Sequence, residues 1–316
     1  MAVKKKLIII AGPTAVGKTD FSIQLAKAIH GEIISADSSQ VYRGFDIASA
    51  KIKPHEMAGI PHHLIDILNP DEDYSVYDFQ QQAITVMNES IYPAGHIPII
   101  AGGTGFYIQS VLYDIAFEER NPLGDYGQWL VGLAAQHETS KLHDLLKEVD
   151  PESAKIIHEN NTRRVISALT FYHDTGIPLS RHNKEQRMRE SAYNFAYFVL
   201  TMDRNKLYER INRRVDLMME EGALAEVERL RAKGVTRDMP AMKGIGYREL
   251  YEYLEGQYSL ETAVEQIKQN TRHFAKRQLT WFRREKEVTW LDKDRYSSEE
   301  ELLLDALNIL KSKDII

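Results

Sequence analysis

Apolar residues along the chain gather into short blocks whose spacing changes from strand-like to helical and back. Leu7 to Ile10 is a β-branched run bounded by charge on one side and Gly12-Pro13 on the other, the pattern of a strand buried on both faces in a parallel sheet. Lys18 to His30 carries helical periodicity, with Phe21, Leu25 and Ile29 four apart, and Gly31 is placed to stop it. Glu32 to Ser35 reads as a second strand. A helix is predicted over roughly Val76 to Tyr92, ending near Pro93 and Gly95, and Ile97 to Ala101 is a third buried strand running into Gly102-Gly103. This alternation predicts an α/β domain with a parallel sheet flanked by helices. From about Phe117 to Arg189 strand-like runs are few and helix formers many, so the segment reads as a helical insertion with a basic stretch at Arg181 to Arg189. Tyr193 to Thr201 alternates like a returning strand, and the remainder reads as almost wholly helical. The expected boundaries are 1–116 and 194–316 for the core and 117–193 for the insertion.

Composition narrows the functional classes. A chain of 316 residues with 43% hydrophobic residues can bury a core, and its formal charge of -6 argues against a uniformly basic nucleic-acid surface, so any such contact has to be local. The chain has no cysteine, which excludes disulfides and thiolate metal sites and fits a reducing compartment. The start of the chain pairs Lys4 to Lys6 with an apolar run too short for a secretion signal, and no stretch approaches a membrane span. The expectation is a cytoplasmic monomer with no membrane partner.

The chemistry begins at Gly12, Pro13, Thr14, Ala15, Val16, Gly17, Lys18 and Thr19, which fit G-x-x-x-x-G-K-[ST] between a predicted strand and a predicted helix. Backbone N–H groups of such a loop converge on anionic oxygens, the helix start adds its positive dipole end, Lys18 adds a point charge and the Thr19 hydroxyl can ligate magnesium. The sheet is thus expected to be of the P-loop NTPase-like kind. The loop predicts a diphosphate moiety, which need not belong to a nucleotide. A P-loop kinase also needs a metal-holding aspartate after an apolar strand, whereas Ile97 to Ala101 ends in Gly102-Gly103-Thr104-Gly105 and Leu64-Ile65-Asp66 has only a short apolar lead.

Asp37 follows the second strand, at the sheet edge that faces ligands in open α/β folds. It reads equally well as a general base or as a loop aspartate. Thr104 is either a helix N-cap or a hydroxyl donor to a leaving oxygen, and the two roles are compatible. His62-His63 reads as a structural pair rather than a metal site, since adjacent residues do not face one ligand. Between Gln266 and Arg284 there is no acidic residue, and Lys268, Arg272 and Lys276 are four apart on one helix face, with Arg277, Arg283 and Arg284 adding charge. Against the acidic whole, that stripe is a candidate phosphate-binding surface. The interleaved Phe274, Trp281 and Phe282 read as packing. Arg163, Arg164, Arg181, Lys184 and Arg187 form a second basic set in the insertion.

Four ordered segments, Gly12 to Thr19, Asp37 to Gly44, Gly59 to Asp66 and Gly102 to Gly105, resemble those of tRNA dimethylallyltransferases. The resemblance continues through Asp150-Pro151, Arg163-Arg164, Gly244 to Tyr247 and Lys276 to Arg283, covering nearly the whole chain. It implies transfer of a dimethylallyl group from dimethylallyl diphosphate to N6 of the adenosine 3′ of the anticodon, in tRNAs reading codons that start with U. Magnesium would be the cofactor. Asp37 would match the general base, Thr104 the hydroxyl near the leaving oxygen, and Lys18 with Arg214 the groups aiding the diphosphate, Arg210 being a second candidate. The tRNA anticodon stem-loop would meet Asp37, Ser38, Ser39 and Gln40 in the core and Arg163, Arg164 and Val165 in the insertion. Further contacts are implied at Lys243, Gly246, Tyr247 and Arg248, and at Arg272, Lys276 and Arg277. The adenosine would leave its stack to enter a crevice between the two basic sets. The chain departs from the pattern at Ser167, where a second arginine commonly follows Arg164, at Arg163 in place of glutamine, at Lys243 in place of arginine, and over Ile115 to Gln128, which lacks a proline-containing signature. The alternatives are a P-loop small-molecule kinase and an isopentenyltransferase acting on free adenine nucleotides.

Overall fold

The computed structural model describes residues 4–117, 124–187 and 189–316; the first three residues, part of the Ile115 to Gln128 stretch, Met188 and the Arg187 side chain lie outside the described residues. The chain divides into two compact units, Met1–Leu112 with Ala192–Ile316, and Tyr113–Ser191.

The first unit is built on a six-stranded sheet. In chain order its elements begin β1 (Lys5–Ala11), α1 (Lys18–Ile29), β2 (Gly31–Ala36), β3 (His62–His63), α2 (Val76–Val86), β4 (Ile97–Gly102) and α3 (Gly105–Leu112). All paired strands are parallel and the spatial order is β3-β2-β4-β1 followed by the returning strand and one more. The β1 sequence explains its central place: Leu7 to Ala11 are fully buried, as a strand covered on both faces must be. Ser75 opens α2 through a capping box with Asp78, and the helix continues as a π-helical turn over Met87–Ile91, close to the predicted end.

The second unit holds α4 (Asp125–Ala135), α5 (Thr139–Val149), α6 (Pro151–Ile156), α7 (Thr162–Thr175) and α8 (Leu179–Arg187) around a core that includes Leu130, Leu142, Leu146, Val165 and Leu169. Asp150 is buried and organises it. Its carboxylate accepts from the Ser153 N–H at 3.0 Å, capping α6, and from the Ser180 N–H and hydroxyl at 2.8 and 2.6 Å, anchoring α8.

The chain returns as β5 (Tyr193–Thr201), then α9 (Arg204–Glu220), α10 (Ala223–Ala232), α11 (Tyr247–Leu254), α12 (Leu260–Phe282), β6 (Val288–Asp292) and α13 (Glu299–Ser312). β6 is the one strand among the described residues of an end expected to be almost wholly helical. It lies parallel to β5 at the sheet margin, with Val288 opposite Tyr197 and Leu291 opposite Leu200. Only Leu291 of its five residues is buried, so its apolar signal is too thin to stand out beside the charged residues around it. β3 is shorter still and pairs Ile33 and Ile34 with the two histidines.

Register fixes where ligands can sit. Ala11 of β1 and Ala36 of β2 are both level with Gly102 of β4, so the loops after β1, β2 and β4 leave the sheet side by side at its carboxyl edge. The loop after β2 is long and is held by two buried charges. Lys51 donates to the Tyr42 carbonyl at 2.7 Å and pairs with Asp46 and Asp66 at 2.8 and 2.5 Å. Glu226 of α10, 1% exposed, accepts from the N–H groups of Asp46, Ile47 and Ala48 and from the Tyr247 hydroxyl at 2.6 Å. Glu226→Ala is expected to orphan these donors at a cost of about 1–3 kcal/mol, read by denaturant unfolding, and to speed amide hydrogen exchange at Asp46–Ala48; unchanged exchange there would refute the anchoring role.

Candidate active site

The phosphate loop runs from Gly12 and enters α1 through Gly17, whose φ of 98° is left-handed and therefore suits glycine. Ala15 adopts φ 64° without being glycine, a local strain of the kind concentrated at ligand sites. Lys18 folds back over the loop and donates to the Gly12 and Pro13 carbonyls at 3.0 and 2.8 Å. Burial pushes its pKa down to about 8, with Asp37 opposing the shift and Arg214 adding to it. Thr19 stands exposed at the first turn of α1.

A cavity of about 460 Å³ opens over this loop. Thr14, Lys18 and Thr19 border it from the loop, Asp37 and Gln40 from beyond β2, Gly102 from β4, and Arg210, Arg213 and Arg214 from α9. The volume falls in the usual range for small-ligand sites. α9 can present three arginines because its faces are segregated: Leu207, Ile211 and Val215 are buried, while positions 210, 213, 214 and 217 line the cavity. The Arg210 Nε donates to the Ala15 carbonyl at 2.9 Å and an Arg214 Nη donates to the Thr14 hydroxyl at 3.4 Å. Burial lowers the Arg214 pKa from its ordinary value, Asp37 opposing and Arg210 reinforcing the shift.

Asp37 is half-buried, and its Oδ1 accepts from the Ser39 N–H and hydroxyl at 3.0 and 2.6 Å. That arrangement is an Asx turn, which holds the carboxylate in one orientation. Ser35 donates to the Gln40 Oε1 at 3.2 Å, and Ser38 is exposed. Thr104 is tied through its N–H to the Ala36 carbonyl at 3.1 Å, and its own carbonyl accepts from Tyr107 and Ile108 at the start of α3. On the β4 side the lining comprises Ala101 and Gly102, and the Thr104 side chain is not part of it.

Several expected RNA contacts sit elsewhere than on an open surface. Val165 is fully buried in the helical unit and Tyr247 is 1% exposed, its ring 4.6 Å from that of Phe45. Their side chains pack inside the protein rather than on an open surface. Gly246 is also buried, and its N–H is held by the Glu249 carboxylate at 2.8 Å. Arg248 is exposed but paired with Glu249 at 2.5 Å, and Arg272 donates to the Asn212 side chain at 2.6 Å. Lys268, counted in the basic stripe, is neutralised by Asp216 at 2.8 Å and Glu265 at 3.3 Å. Lys243, Arg163, Arg164, Lys276 and Arg277 are exposed. Lys276 and Arg277 line a groove of about 380 Å³ with His273, Thr280, Trp281 and Arg284. Of the aromatics, Phe282 is core, as expected, but Phe274 borders the main cavity and Trp281 the groove.

Two residues of the site escaped sequence reasoning. Arg213 carries no signal beyond its place on the Arg210–Arg214 helix face. Gln278 of α12 is buried, accepts from the Thr14 N–H at 2.9 Å and donates to the Gly103 carbonyl at 3.1 Å. His62 borders the cavity, and His63 pairs with Glu32 at 2.6 Å. Asp66, the weak substitute for a kinase metal aspartate, is occupied by Lys51.

Comparison with known proteins agrees with this geometry. A family model described as IPP transferase matches residues 40–285, and one described as isopentenyl transferase matches residues 5–67. The chain is 52% identical over 310 residues to a tRNA dimethylallyltransferase of Lachnoclostridium phytofermentans, covering 98% of this chain and 99% of the relative. A crystal structure of the full-length tRNA isopentenylpyrophosphate transferase of Bacillus halodurans superposes with a TM-score of 0.74 at 44% identity, covering 98% of this chain and 97% of that one. A eukaryotic dimethylallyltransferase solved acting on tRNA superposes with a TM-score of 0.78 at 31% identity, covering 91% of this chain and 74% of that chain. With the family model spanning most of the chain and a relative matching it end to end, the protein belongs to the IPP transferase family and is a prenyl-transferring enzyme.

Proposed function

We propose that the protein transfers the dimethylallyl group of dimethylallyl diphosphate to N6 of the adenosine 3′ of the anticodon, in tRNAs that read codons beginning with U. The observation that carries this reading is the meeting, in one cavity, of an anion-binding loop, three arginines and a carboxylate at the neighbouring strand end. The loop amides, Lys18, Arg210 and Arg214 hold the diphosphate. N6 is a weak nucleophile because its lone pair is shared with the ring, and the Asp37 carboxylate takes its proton as the new bond forms. The allylic carbon bonds to N6 while its bond to the diphosphate oxygen breaks, and the electron pair leaves with the diphosphate. The Thr104 hydroxyl, whose side chain is outside the cavity lining in this structure, would turn to the bridging oxygen, the Ala36 tie carrying its backbone beside Asp37.

The donor set suits magnesium. Among the described residues no three His, Cys, Asp or Glu cluster as metal ligands, and Thr19 with Asp37 borders the cavity. Magnesium takes most of its ligands from phosphate and water and needs few from protein. Thr19 would hold it, and when bound it supplies positive charge against the departing diphosphate. Exposed Lys276 and Arg277, with Lys243, Arg163 and Arg164, are the proposed phosphate contacts to tRNA. No helix among the described residues is long and apolar enough to cross a membrane; we place the reaction in the cytoplasm, carried out by a monomer.

The deciding assay supplies dimethylallyl diphosphate, magnesium and unmodified tRNA, then weighs the digested nucleosides. Prenylated adenosine formed only with tRNA is the expected product; prenylated free adenine nucleotide, or phosphate passed on from ATP, would overturn the assignment. In the same assay Asp37→Ala should lose roughly 10² to 10⁴ in turnover while filter binding shows tRNA still held. The Lys18 ammonium must be charged to meet phosphate, and its pKa is lowered to about 8. Accordingly kcat/KM for the donor should be flat below that pH and fall above it, a profile that a free lysine would shift far to the alkaline side. Lys276→Ala and Arg277→Ala should each weaken tRNA binding and flatten its log-log salt dependence by about one ion; an unaltered slope would remove them from the interface.

A further inference from the structure

Gln278 bridges two segments separated by 175 and 264 residues in sequence, and it does so inside the catalytic cavity. Its Oε1 takes the N–H of Thr14, a backbone donor of the phosphate loop, and its Nε2 gives a hydrogen bond to the carbonyl of Gly103, one residue before Thr104. An amide is the only side chain of this length that is donor at one arm and acceptor at the other at all pH values. Gly103 is fitted to it, since a methyl group there would overlap Nε2. Phe274, one turn earlier on α12, also borders the cavity, so this part of the helix face is turned to the donor site.

We infer that Gln278 is a positioning residue for prenyl transfer, acting as a clamp that sets the distance between the phosphate loop and the Gly103-Thr104 turn. The inference rests on the proposed function, because these are the two segments that flank the diphosphate and its bridging oxygen. Through the Thr14 N–H, Gln278 fixes the loop that Arg214 also meets, at the Thr14 hydroxyl. Through the Gly103 carbonyl it holds the turn whose next residue is tied to Ala36, beside Asp37. One side-chain amide therefore aligns donor-binding loop, leaving-oxygen turn and base.

The test compares wild type, Gln278→Glu and Gln278→Leu in prenylation of tRNA across pH 5.5 to 8.5, with tRNA affinity measured separately by filter binding. Leucine keeps the bulk and loses both bonds, so kcat should fall by roughly 10²-fold, the usual effect of an ångström-scale misplacement, with tRNA affinity unchanged. Glutamate when ionised accepts from Thr14 but repels the Gly103 carbonyl, whereas its acid form restores one donor and one acceptor. The ratio of Gln278→Glu to wild-type turnover should therefore rise as pH falls. The ionisable groups around the same cavity, Lys18, Asp20, Asp37, His62 and the α9 arginines, are present in both proteins, so a difference in profile originates from the introduced carboxyl. A ratio independent of pH, near-normal turnover in Gln278→Leu, or a loss that appears in tRNA affinity rather than kcat would overturn the clamp. Wild-type prenylation of tRNA in the same series keeps the parent assignment separate from this outcome.

Discussion

Four cationic side chains, Lys18, Arg210, Arg213 and Arg214, converge on one glycine loop against two carboxylates, Asp20 and Asp37, in a protein that is acidic as a whole. Such a concentration of like charge is unfavourable, the more so where burial removes water that would screen it. The lowered pKa of Lys18 and the lowered pKa of Arg214 express desolvation by burial first, with like-charge repulsion adding to it. The loop relieves part of it by lending its carbonyls: Gly12 and Pro13 to Lys18, Ala15 to Arg210. A multiply charged anion would relieve the rest. The parallel sheet serves this constraint, because only side-by-side strand ends bring the loops after β1, β2 and β4 to one point, and only a helix with segregated faces brings three arginines to the same place.

Buried carboxylates do the work of holding these loops in place. Glu226, Glu249 and Asp150 are each about 1% exposed, and each is surrounded by donors drawn from a turn that would otherwise be loose. A buried carboxylate is tolerable when its oxygens are saturated by hydrogen bonds, and removing it leaves several N–H groups stranded. The Asp150-Pro151 and Gly244 to Tyr247 segments, which share the family resemblance, both contribute to such anchoring. Asp150 starts one helix and ties another, and Tyr247 donates to the carboxylate that gathers Asp46 to Ala48.

What sequence reasoning recovered is what local pattern encodes. β1, its phosphate loop and α1 fall where the apolar run and the glycines place them, and β4 and β5 are found within a residue or so. The helical character of Asp125–Arg187 is also plain from composition. The failures share a cause: they depend on partners far away in sequence. Lys268 belongs to a basic stripe by spacing, yet Asp216 of α9 neutralises it. Lys51 and Glu226 are charged residues that pattern assigns to the surface, and both are buried by mutual support from distant loops. β6 is legible only once β5 is there to pair with it. Gln278 has no local signal, since a buried glutamine announces itself only through the two backbones it joins.

α12 shows why a helix, rather than a loop, carries the residues that look both ways. Phe274 and Gln278 face the donor cavity, while His273, Lys276, Arg277 and Thr280 line the neighbouring groove. Positions 276 and 278 differ by two residues, about 3 Å along the axis, and a little over half a turn, so they present to different surfaces at nearly the same height. Trp281 borders the groove while packing against Gly105 at the start of α3, and Ala275 and Phe282 sit in the core. The element is thereby fixed on three sides. On the proposed function, its stiffness would make the separation between an RNA phosphate at the groove and a diphosphate at the loop a property of helix geometry. A nucleophile delivered on an RNA backbone would then meet the allylic carbon at a distance that no single flexible segment has to set.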